Sequence, residues 1–331
     1  MPIHRNSHFK IHNSKLPVIF DIKRYAINDG PGIRTTIFFS GCPLRCAWCH
    51  NPESWDALPH KTYKKNKCIG CQSCVEACPA GAITLTADGI RPVEGAECLR
   101  CGRCADECPT LALEMCGREW SMEELMAEVE KERDIMTDSG GGVTLCGGEP
   151  LFQPQAAMAV LDELGRRGFH RTVDTTLYAA PETVREVAKR CELMLVDMKI
   201  MDSRLHRRYT GVPNERILDN LRLIAELGTP YYVRIPLIEG INADEANIEA
   251  TADFLDSLPS HKGFRGVNLL PYHDVGRDKH RRLWSVYNPE GFAMSAPSDE
   301  TMQRCEEKFL LRQASLRAER RVKSERSQRR P

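Results

Sequence analysis

The sequence predicts an α/β fold: a parallel sheet, open or curled into a barrel, interrupted by one small cysteine-rich insertion. Three observations carry this. Six short β-branched or apolar runs alternate with amphipathic stretches of helical period, the pattern of right-handed β–α–β crossovers. A dense block of cysteines within residues 60–116 breaks that alternation. Hydrophobic residues make up 41% and charged residues 28% of 331 residues, enough to bury a full domain with an insertion.

The run IRTTIFF at 33–39 reads as the first buried strand. Further strands are expected at 143–146, 171–175, 193–197, 231–236 and 266–270. Ser121 with Glu124 forms a capping box that opens a helix near 121–136. Other helices are expected near 154–167, 181–191, 214–227 and 244–258, with Gly168 and Gly228 as stops. The insertion reads as short cysteine-rich turns without an amphipathic helix. From residue 312 the chain turns basic, with eight Arg or Lys against two Glu, and is expected to be a solvated, disordered tail. In folds of this class ligands gather at the carboxyl ends of the strands, where the polar motifs below all fall.

Several function classes are excluded by composition. Lys plus Arg and Asp plus Glu both total 46, so no global field favours nucleic acid or an acidic membrane. No apolar run approaches the roughly 18 residues of a membrane span. The first fifteen residues are polar and basic with no apolar run after them, unlike a secretory signal. A cytoplasmic location is therefore expected. The 15 cysteines are an odd number, which rules out a fully paired disulfide framework and favours metal or redox chemistry.

The cysteines fall into groups. Cys42-x3-Cys46-x2-Cys49 puts three thiolates on one short loop. That set suits a cubane cluster whose fourth iron stays open to a substrate, whereas zinc ligands usually come as two pairs. His50 directly follows Cys49 and could hardly reach the same cluster. Next, Cys68-x2-Cys71-x2-Cys74-x3-Cys78-Pro79 is followed by Cys98-x2-Cys101-x2-Cys104-x3-Cys108-Pro109, each the run C-x2-C-x2-C-x3-C-P of bacterial ferredoxins. In two-cluster ferredoxins the fourth cysteine of each run ligates the other cluster. One [4Fe–4S] cluster is thus expected on Cys68, Cys71, Cys74 and Cys108, the other on Cys98, Cys101, Cys104 and Cys78. Cys116, Cys146, Cys191 and Cys305 read as small buried hydrophobes.

With DGPGIRTTIFFSGCPLRCAWCHNPES at 29–54, the chain resembles the radical SAM proteins, in particular the activating enzymes of glycyl radical enzymes. The similarity runs from about residue 17 to about 300 and includes a ferredoxin-like insertion at the same place. It implies a partial (β/α)6 barrel at 17–59 and 117–311, the insertion at 60–116 and a tail at 312–331. It implies that Cys42, Cys46 and Cys49 hold the catalytic [4Fe–4S] cluster, one of three, and that S-adenosylmethionine binds its open iron. Trp48 and His50 would lie along that cofactor. Gly147, Gly148 and Glu149 match the family's GGE element, whose backbone meets the methionine amino group. VDMK at 196–199 matches its D-x-K element, which places Asp197, Met198 and Lys199 at the cofactor. Asp174 and Thr175 match a pair that, with Asp197, can hold a monovalent cation beside the carboxylate. Arg234 and His273 match the remaining strand-end positions.

The activity implied is reductive cleavage of S-adenosylmethionine to methionine and a 5′-deoxyadenosyl radical, which takes a hydrogen from a glycine Cα of a partner enzyme. Radical chemistry of this kind needs a dry, closed site and an anaerobic cytoplasm. An external low-potential donor, a flavodoxin or ferredoxin, would supply electrons. Three other readings remain at this point: radical chemistry on a small molecule, electron carriage by the insertion alone, and a zinc-stabilised nucleic-acid module.

Overall fold

Alternation builds the first strand and an apolar run builds the second. In the computed structural model, which describes residues 16–310, β1 (Val18–Ala26) alternates half-buried with exposed residues through its middle, and β2 (Arg34–Phe39) is buried almost throughout. They pair antiparallel, so β1 is an addition to the six expected strands. The expectations for the first fifteen residues and for the basic tail lie outside the described residues.

The chain then leaves the sheet. β3 (His60–Tyr63), α1 (Ser73–Glu76), β4 (Ile83–Thr86), β5 (Gly89–Pro92), α2 (Arg103–Asp106) and β6 (Leu113–Cys116) follow one another. β3 and β6 pair antiparallel, with His60 opposite Cys116 and Tyr63 opposite Leu113, and β4 and β5 form a hairpin. Each cysteine run turns through two left-handed residues, Gly70 and Gln72 or Arg100 and Gly102, into its four-residue helix. The two halves thus repeat the same local structure. Tyr63, Cys74, Ile83, Ile90, Ala112 and Leu113 form their own small core.

Back on the sheet come β7 (Arg118–Glu119), α3 (Met122–Glu130), α4 (Arg133–Asp138), β8 (Gly142–Gly147), α5 (Pro154–Arg166), β9 (Arg171–Thr175), α6 (Pro181–Ala188), β10 (Leu193–Asp197), α7 (Ser203–Thr210), α8 (Glu215–Leu227), β11 (Tyr231–Leu237), α9 (Glu245–Asp256), β12 (Phe264–Pro271) and α10 (Gly276–Arg282). The strand order is β12-β11-β10-β9-β8-β2-β1-β7, parallel from β2 to β12. β12 does not pair with the other end of the sheet, so the barrel stays open. Val143, Val160, Val173, Val184, Val196, Leu221 and Val233 lie in one continuous core between strands and helices. Residues 299–310 are helical and add Cys305 and Phe309 to it.

Two expectations need correction. The single helix at 121–136 opens on the capping box as expected, yet it breaks after Glu130 and resumes at Arg133. Arg133 lies over the Phe169 ring while bonding Glu130 and the Arg167 carbonyl, contacts that hold the chain at the break. α7 and α10 were not expected. α7 offers only Leu205 and Tyr209 as an apolar pair among polar residues and α10 is polar along its length, so neither carries the longer apolar stripe that periodicity detects.

After α10, Trp284 reaches onto the insertion. Its ring stacks on Tyr63 at 5.7 Å and its indole N–H donates to the Ile90 carbonyl at 2.8 Å. On the opposite side of the insertion, Arg100 bonds Asp56 and the carbonyls of Leu58 and Pro59. Replacing Trp284 by Ala is expected to speed protease cleavage between residues 64 and 112 about two- to tenfold, as roughly 0.5–1.5 kcal/mol of lost stacking implies. The far-UV spectrum should not change. Equal cleavage rates would mean that the insertion is held elsewhere.

Candidate functional site

The parallel strands β2 and β8–β12 send inward-facing residues into one cavity of about 1090 Å³. Phe38, Cys146, Asp174, Asp197, Arg234 and Asn268 line it, one from each strand. The sheet is therefore concave around a lumen. His170, Glu192 and Pro230 also line it, so the lumen continues toward the amino ends of the strands.

The loop after β2 carries Cys42, Cys46 and Cys49 to the wall of this cavity. It is pinned by backbone bonds from Arg45 N to Thr210 O (2.7 Å) and from Ala47 N to Tyr209 O (2.9 Å). The Arg45 guanidinium gathers the carbonyls of Cys42, Leu44 and Trp55. Gln153, wholly buried, bonds Val18 and the Ser40 carbonyl and so fixes the start of the loop. Burial pushes the Cys42 thiol well up and the Cys49 thiol to about 12; it also raises Cys46, against the pull of Lys199. Three thiols held together in such a place ionise only beside a compensating cation. A cluster iron is a compensating charge of that kind, and the donor set fits it.

On the opposite wall stand two charge pairs. Lys199 Nζ lies 2.8 Å from Asp197 Oδ2, and Arg234 lies 2.6 Å from Asp174 Oδ2. Burial opposes the Lys199 charge, but Asp197 and Cys46 hold its pKa above the usual value. Asp174 keeps Arg234 raised despite its burial. Burial pushes Asp174 up to about 6, against Arg234. Asn242, buried behind them, donates to the Lys199 and Pro236 carbonyls. His50 and His273 stack at 4.1 Å, with His50 Nε2 2.9 Å from the His273 carbonyl. Burial lowers the His50 pKa.

Trp48 lines the cavity from a small apolar cluster with Ala47, Ile200, Ile238 and Ile241. Gly147 and Gly148 lie on the wall, and the N–H of Gly148 and of Glu149 bond the Phe39 and Gly41 carbonyls. A Cβ on Gly148 would stand 2.4 Å from the Gly41 oxygen. Gly148→Ala is expected to cost about 1–3 kcal/mol by overpacking. Anaerobic chemical denaturation checks this, and a wild-type value would contradict it.

Twelve of the expected residues thus share one cavity: Cys42, Cys46, Trp48, Cys49, His50, Gly147, Gly148, Asp174, Asp197, Lys199, Arg234 and His273. Thr175 joins them. Met198, also expected at the cofactor, packs into the core instead. Glu149 was expected to act through its backbone; its carboxylate accepts from Thr175 Oγ1, Thr176 N and Leu151 N, locking the ends of β8 and β9 together. Cys146 was expected to be a buried hydrophobe but faces the cavity and donates to Asp174 at 3.2 Å. Cys191 and Cys305 are buried in the core as expected, and Cys116 is half-buried. Sequence reasoning gave no role to Arg34, whose wholly buried guanidinium bonds Thr144 and the Pro31 and Val143 carbonyls. Thr36 and Thr144 bond Asp29 in the same way. The DGPGIRT motif was the available signal; two of its partners, Val143 and Thr144, lie over a hundred residues away.

In the insertion, two small cavities separate the eight cysteines. One is lined by Cys68, Cys71, Cys74 and Cys108, the other by Cys78, Cys98, Cys101 and Cys104. Each set takes its fourth member from the other run. Burial and the nearby Cys108 push Cys74 up to about 11, and Cys104 is raised by burial, Cys78 and Cys98. Main-chain N–H groups already point at these sulfurs, from Ala82 to Cys78, Arg100 to Cys98 and Leu113 to Cys108.

Comparison with known proteins shows the family. Residues 36–255 match the Radical SAM superfamily. The chain is 41% identical over 295 residues to the choline trimethylamine-lyase activating enzyme of Oleidesulfovibrio alaskensis, covering 88% of this chain and 95% of that one. It is 40% identical to the trans-4-hydroxy-L-proline dehydratase activating enzyme of Clostridioides difficile, covering 88% and 96%. Among solved structures, a domain of a pyruvate-formate lyase-activating enzyme from Bacteroides vulgatus is 48% identical with a TM-score of 0.44, covering 52% of this chain and 95% of that one.

Proposed function

As this chain belongs to the radical SAM superfamily and, within it, to the activating enzymes of glycyl radical enzymes, it generates a glycyl radical on a partner enzyme, and we propose that it does so with one open catalytic cluster and two closed ones. The observation that carries this is the meeting of Cys42, Cys46 and Cys49 with Asp174, Asp197, Lys199, Arg234 and His273 in one cavity. When bound, the reduced cluster and S-adenosylmethionine supply a carbon radical able to take hydrogen from a glycine Cα.

The protein's own residues bind, orient and exclude water. Cys42, Cys46 and Cys49 would hold the catalytic cluster through three thiolates, leaving it open to the cofactor. Lys199 and Arg234 offer positive charge to that carboxylate, while Asp197 and Asp174 keep both cations in place. Asp174, Thr175 and Asp197 are grouped to take a monovalent cation there. Gly147 and Gly148 let the main chain approach the amino group. Trp48, His50 and His273 flank the adenosyl part. A volume of about 1090 Å³ exceeds the roughly 300–1,000 Å³ of ordinary ligand pockets, leaving room for the partner's glycine-bearing segment beside the cofactor.

The crossed cysteine sets of the insertion would hold the two further [4Fe–4S] clusters, which would supply a route for electrons from a flavodoxin or ferredoxin toward Cys42, Cys46 and Cys49. Partners of lyase or dehydratase chemistry are favoured by the relatives' names. Anaerobic reconstitution should give about twelve irons per chain, three clusters of four. About four irons would remove the insertion clusters from this reading.

A further inference from the structure

The two small cavities of the insertion are alike in their cysteines and unlike in their surroundings. The cavity of Cys68, Cys71, Cys74 and Cys108 is closed by Tyr63, Ile69, Gln72, Ile90 and Leu113. Among the described residues lining it, none besides the cysteines carries an ionisable group except Tyr63. The cavity of Cys78, Cys98, Cys101 and Cys104 has Lys61 and Arg100 in its wall. Arg100 is committed elsewhere, its guanidinium held by Asp56 and two carbonyls. Lys61 is half-buried on β3 and stands in this wall among the four cysteines. The other sulfurs receive neutral donors: Ser73 Oγ reaches Cys71 and Leu113 N reaches Cys108. Asp106, on the α2 helix beside Gly102, is exposed and screened by solvent.

A [4Fe–4S] cluster gains one negative charge on reduction, so a fixed cation beside it favours the reduced form. Neutral hydrogen bonds act in the same direction on both clusters, but only one faces an ammonium. We propose that Lys61 sets the cluster of Cys78, Cys98, Cys101 and Cys104 at a more positive reduction potential than the cluster of Cys68, Cys71, Cys74 and Cys108, making it the resting place of the first electron delivered to the insertion. One electron leaves the apolar cluster, which is oxidised, and arrives at the Lys61 cluster, which is reduced; the low-potential donor supplies it. The inference rests on the reading that the insertion holds two clusters.

The test is an anaerobic redox titration of the full-length, reconstituted enzyme without S-adenosylmethionine, followed by electron paramagnetic resonance. Wild type should show two separate reduction waves from the insertion. Lys61→Gln should move the more positive wave to more negative potential and leave the other in place, while Lys61→Arg should keep the wild-type separation. Coincident waves in the wild type, or a Lys61→Gln shift in the more negative wave or in both equally, would overturn the proposal. The wild-type separation decides the matter even where a variant loads iron poorly. With about twelve irons per chain, coincident waves sink this inference alone; about four irons sink the reading beneath it.

Discussion

Cys46→Ala is expected to abolish both S-adenosylmethionine cleavage and glycyl radical formation, taking each to background, and to lower bound iron from about twelve to about eight per chain. Cys46 sits on the wall of the lumen between its two partner cysteines, close enough to Lys199 to feel its charge. No other cysteine of the loop can replace it, because Arg45 and the backbone bonds to Tyr209 and Thr210 hold the loop in one conformation. The insertion has its own core and should keep its iron. Cys101→Ala is the contrast: it should cost iron from the insertion while the lumen stays intact. Anaerobic iron analysis and chromatographic detection of 5′-deoxyadenosine separate the two. Cleavage at the wild-type rate in Cys46→Ala would contradict the assignment of the catalytic loop.

Arg234→Met is expected to destabilise the folded protein by about 3–5 kcal/mol, the usual cost of stranding one partner of a buried ion pair. The side chains of Arg234 and Asp174 are only 15% and 13% exposed, and Asp197 adds a second carboxylate nearby. Removing the guanidinium leaves Asp174 with a thiol, Cys146, as its remaining donor. Cofactor affinity should fall as well, because the lumen loses a cation. Asp174→Asn in the same chain should restore most of the stability, since the stranded charge disappears, without restoring cofactor binding. Chemical denaturation of the loaded protein gives the first quantity and equilibrium dialysis the second. A loss below about 1 kcal/mol would place the pair in the weak, solvent-screened class.

The frame of the fold was readable from local pattern. The expected strand at 193–197 coincides with β10, because a strand buried on both faces is an apolar run with a sharp polar end; that at 171–175 coincides with β9, whose RTVDT is β-branched at three of five positions rather than apolar. The cluster cysteines were readable for another reason: close spacing on a short loop makes their meeting a local event. Residues whose partners lie far along the chain were harder to read. Gln153 bridges to Val18 and Arg34 to Val143, and nothing local to either announces a buried role. Met198 follows Asp197 in a motif, yet strand alternation sends it to the opposite face from the lumen, into the core. Glu149 shows the same limit: its backbone lies at the cysteine loop while its carboxylate serves Thr175 and Thr176 behind it. Polar helices such as α7 and α10 are held by tertiary contacts, as in the ion pair of Lys279 with Glu53 at 2.8 Å.

The central claim is that hydrogen passes from a glycine of a partner protein to the cofactor held in this lumen. The direct measurement uses a choline trimethylamine-lyase and a trans-4-hydroxy-L-proline dehydratase as candidate partners, each prepared with glycine deuterated at Cα. They are incubated anaerobically with the reduced protein and S-adenosylmethionine. The account predicts a glycyl radical signal on a partner together with one deuterium in the 5′-deoxyadenosine released. Cleavage of S-adenosylmethionine that yields undeuterated 5′-deoxyadenosine and no radical on either partner would contradict it.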